Sequence, residues 1–524
     1  MMSFQIRRPS FHKRSSWLSA ISATLIAWTL AILSRTSIPN TISIPFLNLS
    51  GKGLQISNTG LTSSYNILWI ADDLYWTFTV ALTTILLSSL LTRLAHLEHA
   101  QETRQDFQLS NDLLITAISL FTILAGNIFT LILGWVILDS VLLIIRIYET
   151  REEPSQNKTA LLFSLGYLGT IILILAELIT QPTKNPTTLE SLSQTQSALM
   201  FIACAFRSGI ILWQPILRQE PKEVIQRSII LRLTPIAATL MPMIRLASNP
   251  SNETDIIIAP YLLILAASAA LFSSLAWLTA SDELSASPFW ITALSAFVFA
   301  ASLRSEPNAG LSWSLVLLFT GGLVFVYSAR NHWMNLVFLL TILSLSSFPY
   351  SPTWSTNFIY RNPLQVIDII LLLSQTFLIF GFIKHSLRET YPLDRSQRWL
   401  TFVYPWGLLI LPLMQFTLAW SYSSDPSPTF LESLPGILSA LLALLFFLVK
   451  PIRNLFNHKI ISIGVEIISL NWFWFLLEKI FQVAQKMFNF INQWSETTAS
   501  TLWAFIILAL LISLFVQTGM ISGG

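Results

Sequence analysis

NDLLITAISLFTILAGNIFTLILGWVILDSVLLIIRI, residues 111–147, decides the class of fold. Two apolar runs, near 112–127 and 128–148, meet at Ala125-Gly126-Asn127, and between them the only charged residues are Asp112, Asp139 and Arg146. An apolar run of about 20 residues at 1.5 Å per residue crosses a hydrocarbon layer of about 30 Å. Similar runs recur outward in both directions, near 17–33, 74–94, 159–180, 197–217, 228–247, 257–279, 289–304, 310–328, 333–348, 364–387, 400–422, 432–450 and 501–519. The pattern predicts an all-α, polytopic membrane helix bundle of about 15 transmembrane helices, some of them broken. Composition agrees: 53% of the residues are hydrophobic and 11% charged, with a mean hydropathy of +0.63, against about 25% charged in soluble proteins. Runs of this length exclude a β-barrel.

The same counts remove whole classes of chemistry. One cysteine, Cys204, builds neither an iron–sulfur cluster nor a zinc site. The six histidines lie in loops or near span ends, so paired haem ligands are missing. No glycine-rich phosphate loop stands out, and a net charge of +3 does not suggest nucleic acid. No catalytic residue, metal or cofactor is assigned. With the N-terminus cytoplasmic, 22 of the 30 Lys and Arg residues fall in cytoplasmic segments, and only Arg35, Lys52, Lys184, Arg304 and Arg361 fall outside. The expected setting is therefore the cytoplasmic (inner) membrane, with the C-terminus outside. The first span follows a basic segment but has no clean cleavage site, and it is read as an anchor. From 470 to 496, polar residues such as Glu478, Gln482, Gln485 and Asn489 recur opposite Phe473, Leu477, Phe481 and Phe488, which predicts an amphipathic surface helix.

Beyond composition, the opening stretch resembles the antiporter-like, proton-translocating subunits of respiratory complex I, of related membrane hydrogenases and of Mrp-type cation/proton antiporters. In that family an apolar helix leads through an Asn-containing break to a Gly-Trp-Glu or Phe-Glu-Leu segment; Asn127, Gly134 and Trp135 match it. Phe206-Arg207-Ser208-Gly209 stands where the family has Lys-Ser-Ala in a broken helix. The segment 266–282 is similar to the one that precedes the family's Asp-x-Lys-Arg motif. LSLSSFPYSPTWST, residues 343–356, resembles the second broken helix, with Pro349 and Pro352 at its turn. The likeness covers roughly residues 65–390. It divides the chain into an N-terminal segment with the first span and an outer loop (1–64), an antiporter-like core (65–390) and C-terminal helices (391–524).

This sequence departs from the family where protons are relayed. The resemblance calls for a carboxylate, a lysine on the first broken helix, and a lysine or glutamate on the second; here stand Val136, Arg207 and Thr356. A buried lysine can be tuned toward neutrality, whereas an arginine keeps its proton above about pH 12. The family's Lys-Arg pair after the Asp is also replaced, by Leu284 and Ser285.

Charges nevertheless remain inside predicted spans, where each costs roughly 2.5–3.5 kcal/mol on insertion scales. Asp139 follows Val136 by nearly one helical turn. An Asp139–Arg207 ion pair would fix two helices without moving a proton; a displaced relay, or no contact at all, are the other readings. Glu177 and Asp368 are open between transport and a helix cap or snorkelling end. Arg232 and Arg245 are expected to pair with acids or, for Arg245, to reach the interface. The implied function is a membrane-arm subunit of a complex I-like assembly, its own relay impaired and its role largely scaffolding, with the lipid bilayer and homologous antiporter-like subunits as partners. An active proton or cation translocator, including one linked to inorganic-carbon uptake, is the alternative. A lipid-linked-sugar transferase using Asp72 and Asp73 is a third, because such enzymes place acidic pairs in an outer loop.

Overall fold

The computed structural model describes residues 9–47, 65–93, 102–149, 153–179, 188–211, 229–248, 258–280, 283–326, 329–330, 334–361, 363–387, 391–392, 400–422 and 428–449, and eight positions between 479 and 489. By contacts the chain divides into two units, Met1–Val465 and Glu466–Gly524. The first unit holds fourteen helices among its described residues: α1 Pro9–Leu33, α2 Asp73–Arg93, α3 Glu102–Ile123, α4 Ile128–Glu149, α5 Glu153–Leu178, α6 Gln194–Arg207, α7 Ile230–Ala247, α8 Ala259–Thr279, α9 Glu283–Leu303, α10 Pro307–Val326, α11 Met334–Leu345, α12 Val366–Ser386, α13 Leu400–Tyr422 and α14 Leu434–Leu448. Eight contain stretches long and apolar enough to cross a bilayer, and others carry shorter apolar stretches. The last expected span, 501–519, lies outside the described residues. In the second unit, positions 479, 480, 482, 483, 485–487 and 489 are helical and exposed; the rest of the expected surface helix, 470–496, also lies outside.

A five-helix pattern occurs twice. In α3–α7 and again in α8–α12, successive helices touch, the first helix packs against the fifth, and the fourth stops short. Helix α6 ends at Arg207, where Gly209 adopts a φ of +78° that L side chains avoid. Helix α11 ends at Leu345 and passes through a turn into a 3-10 segment, Trp354–Ile359. Helix α7 packs against α9 and α10, helix α2 bridges α1, α3, α10 and α13, and α14 lies on α12.

Two small sheets add β-structure to the all-helical expectation: a two-residue parallel pairing of 329–330 with 391–392, and a longer hairpin. Asn40–Leu47 (β1) and Tyr65–Ala71 (β2), both rich in β-branched and aromatic residues, pair antiparallel in the segment between α1 and α2. The free edge of β2 then bonds the break between α3 and α4: Ile70 N donates to Leu124 O, and Gly126 N to Leu68 O, both at 2.8 Å. A Cβ on Gly126 would stand 2.6 Å from the Ile70 side chain, so only glycine permits this approach. The Ala-Gly-Asn break is therefore both a helix boundary and the dock for the hairpin. Asn127 opens α4, its Oδ1 accepting from Thr130 N at 2.9 Å.

Candidate functional site

Arg207 and Asp139 meet between α6 and α4. Nη1 donates to Asp139 Oδ2 and Nη2 to Oδ1, each at 2.6 Å, in a two-pronged geometry that suits a planar guanidinium and a carboxylate. The side chains are 6% and 10% exposed, so this is a buried pair. Arg207 Cζ lies 4.6 Å from the centroid of the Trp135 ring, one helical turn before Asp139 on α4. Trp135 is fully buried, and its Nε1 donates to Ala238 O of α7 at 3.1 Å. Val136 is half-buried beside it. Gly134 faces Thr122 of α3, whose side chain would be 2.7 Å from an added Cβ, so α3 and α4 approach closely here. Ser208 continues the end of α6 by donating its hydroxyl to Cys204 O at 2.8 Å.

Two further arginines are spent on carboxylates. Arg304, counted from sequence among the outer-loop charges, is instead 3% exposed and donates from Nη1 to Asp368 Oδ1 at 2.5 Å and to Ile359 O. Asp368 is also part of a helix cap: Oδ2 accepts from Gln365 N at 2.8 Å in the first turn of α12. Arg245, expected to pair or to reach the interface, is 1% exposed and pairs with Asp72 at 3.0 Å and Glu190 at 3.6 Å. The other Asp72 oxygen caps α2 through Tyr75 N at 2.8 Å. Both carboxylate oxygens of Asp72 are thus engaged. Arg232, expected to meet an acid, places Nη1 on the Ser287 hydroxyl of α9. Glu177, half-buried on α5, has no hydrogen bond or ion pair among the described residues.

The second broken helix carries a neutral network where the resemblance implies a titratable group. Thr356, fully buried, donates to Thr353 O at 2.5 Å, so the Ser347 hydroxyl supplies the proton of their 2.8 Å contact. Ser347 in turn accepts from Gln375 Nε2 at 2.9 Å, and Gln375 Oε1 accepts from Tyr360 at 2.7 Å. Asn357 ties this turn to α14, accepting from Gly436 N at 3.2 Å and donating to Ser347 O at 2.9 Å. Pro352 is buried and Pro349 half-buried in the same turn. Among the described residues no group of three metal-binding side chains occurs.

Of the residues brought forward from sequence, the structure thus joins Asp139 with Arg207 and places Asn127, Gly134, Trp135 and Ser208 around them. Asp368 and Thr356 belong to the second break, and Glu177 stands apart. Sequence reading did not find the Arg304–Asp368 pair or the Ser347–Gln375–Tyr360 network; the signal for the first was an arginine directly after a long, mostly apolar helix.

Compared with solved structures, the chain superposes on a chain of the Mrp complex from Dietzia sp. with a TM-score of 0.57, 11% identity and coverage of 82% of this chain and 93% of that one. For the membrane-bound sulfane sulfur reductase, an archaeal respiratory membrane complex, the TM-score is 0.60 at 12% identity, covering 94% and 95%. For respiratory complex I from Thermus thermophilus with bound NADH it is 0.56 at 14% identity, covering 82% and 94%. The chain shares the fold of these membrane-complex chains. No family model and no curated protein matches the sequence. Within this fold, the Arg207–Asp139 and Arg304–Asp368 pairs are buried, while Arg245 reaches two partly exposed carboxylates.

Proposed function

We propose that this protein is a membrane-arm subunit of a complex I-like energy-converting assembly in a cytoplasmic membrane, N-terminus inside, in which its own proton relay is closed and its role is to scaffold homologous antiporter-like neighbours. The observation that carries this reading is the two-pronged Arg207–Asp139 pair at the first broken helix. A guanidinium offers a planar fork of donors, and here both of its terminal nitrogens are bonded to one carboxylate. Such a pair joins α4 to α6 and gives a passing proton nowhere to rest. The neutral network around Thr356 supports the same reading at the second break.

Native purification tests it: the protein is taken from gently solubilised membranes and whatever co-migrates is identified. Recovery with antiporter-like subunits and redox-cofactor subunits is the expected result. Recovery as a lone monomer or homodimer overturns it. A second reading, an active proton or cation translocator, is favoured by one observation, the half-buried Glu177 carboxylate without a partner among the described residues. Loss of ion movement on Glu177→Gln would establish that reading in place of the first. Of the acidic pair that a transferase would use, Asp72 is capped and paired, while Asp73 is exposed.

A further inference from the structure

The buried pair is held by a side chain whose other bond leads into a different helix. Helix α7 contains Pro242, which has no N–H and so leaves the carbonyl four residues earlier, that of Ala238, without its helical donor. Trp135 Nε1 donates to that same carbonyl at 3.1 Å. The indole supplies what the proline took away. Its ring, meanwhile, lies 4.6 Å from Arg207 Cζ, and Arg207 holds Asp139 with both terminal nitrogens. One residue therefore touches the defect in α7 with its edge and the ion pair with its ring. Three residues beyond Pro242, Arg245 anchors the end of α7 to Asp72 at 3.0 Å, so the helix is fixed beyond the proline as well.

We propose that Trp135 is a positioning residue that couples the Pro242 turn of α7, with its donorless carbonyl, to the Arg207–Asp139 pair, so that the two hold or yield together. This concerns how the pair is held and does not depend on the assembly reading; a lone protein would show it equally. The alternative is that a large buried side chain makes two unrelated contacts. A double-mutant cycle separates these, because residues acting through one shared group are non-additive and independent ones are not.

Cys204 provides the readout. It is the one cysteine in the chain, buried on α6 one turn before Arg207. Its labelling rate by a maleimide in native membranes reports loosening of α6 around the pair. Trp135→Phe keeps a ring beneath Arg207 and removes the indole donor. Pro242→Ala restores an N–H that reclaims the Ala238 carbonyl. Each is expected to raise the labelling rate by about three- to tenfold, the lower part of the range for coupled contacts, and the double variant no further than the larger single effect. Trp135→Phe combined with Pro405→Ala on α13 should give the product of the two single effects. If Trp135→Phe does not accumulate, Trp135→Tyr removes the same donor while keeping a larger ring. Labelling rates in Trp135/Pro242 doubles that equal the product of the singles, or single variants that label like the wild type, overturn the proposal.

Discussion

Arg207 stands where the resemblance implies a lysine, and the difference lies in charge and shape. An ammonium is a point charge that burial can neutralise; a guanidinium is a permanently charged plane with a fork of donors and a face that lies on an indole. The structure uses all of this: fork to Asp139, face to Trp135. Removing one partner of such a pair strands a charge, whereas removing both does not. Asp139→Ala is therefore expected to destabilise the protein by about 3–5 kcal/mol, while Asp139→Leu with Arg207→Met recovers most of that loss. Thermal unfolding of the detergent-solubilised protein checks it, and a double variant no better than Asp139→Ala would contradict it. Arg207→Lys should also lose stability, since an ammonium cannot reproduce the two parallel bonds. The sequence brought Asp139 and Arg207 forward because charges within apolar runs are conspicuous. It could not show the Trp135 stack or the Arg304–Asp368 contact, because both join positions more than 60 residues apart and neither has a local periodic signal.

Among the elements, the two broken helices end in different ways. Helix α6 ends at a glycine with positive φ and an ion pair; α11 ends in a knot of hydroxyls and amides that fastens to α14. Two glycines distinguish packing from propensity. At Gly436 an added Cβ would lie 2.4 Å from Asn357 Oδ1 and 2.7 Å from Ser347 Cβ; at Gly166 on α5 it would meet nothing within 4 Å. Gly436→Ala should therefore cost about 1–3 kcal/mol through overpacking at the second break. Gly166→Ala should stabilise by about 0.5–1 kcal/mol through helix propensity alone. Unfolding temperatures of the two variants, expected to move in opposite directions, check both. Thr356→Val removes the acceptor of the Ser347 hydroxyl and is expected to cost about 1–3 kcal/mol by leaving a buried donor unmatched. Helix positions were legible from apolar run length, and the breaks from Gly, Ser and Pro clusters. The hairpin was not, because its short strands lie between spans whose signal is far stronger, and its pairing with Gly126 is a tertiary contact.

For the whole molecule, repetition of one five-helix pattern explains why two broken helices occur and why each sits between its set's third and fifth members. The chain keeps the fold of the Mrp, sulfane sulfur reductase and complex I chains it superposes on, although Val136, Arg207 and Thr356 stand where the resemblance implies titratable groups. A membrane bundle tolerates this because close packing of small residues and satisfied polar groups, not the relay itself, hold its helices together. A pair that closes the first break, rather than taking part in ion movement, can be replaced by apolar residues without loss of transport. The most direct test is ion movement by sealed membrane vesicles carrying the full assembly, with Asp139→Leu/Arg207→Met in place of the native pair. The account predicts that ion movement per turnover stays at the native level while the assembly is retained. Loss of ion movement from an intact, correctly assembled complex would contradict it.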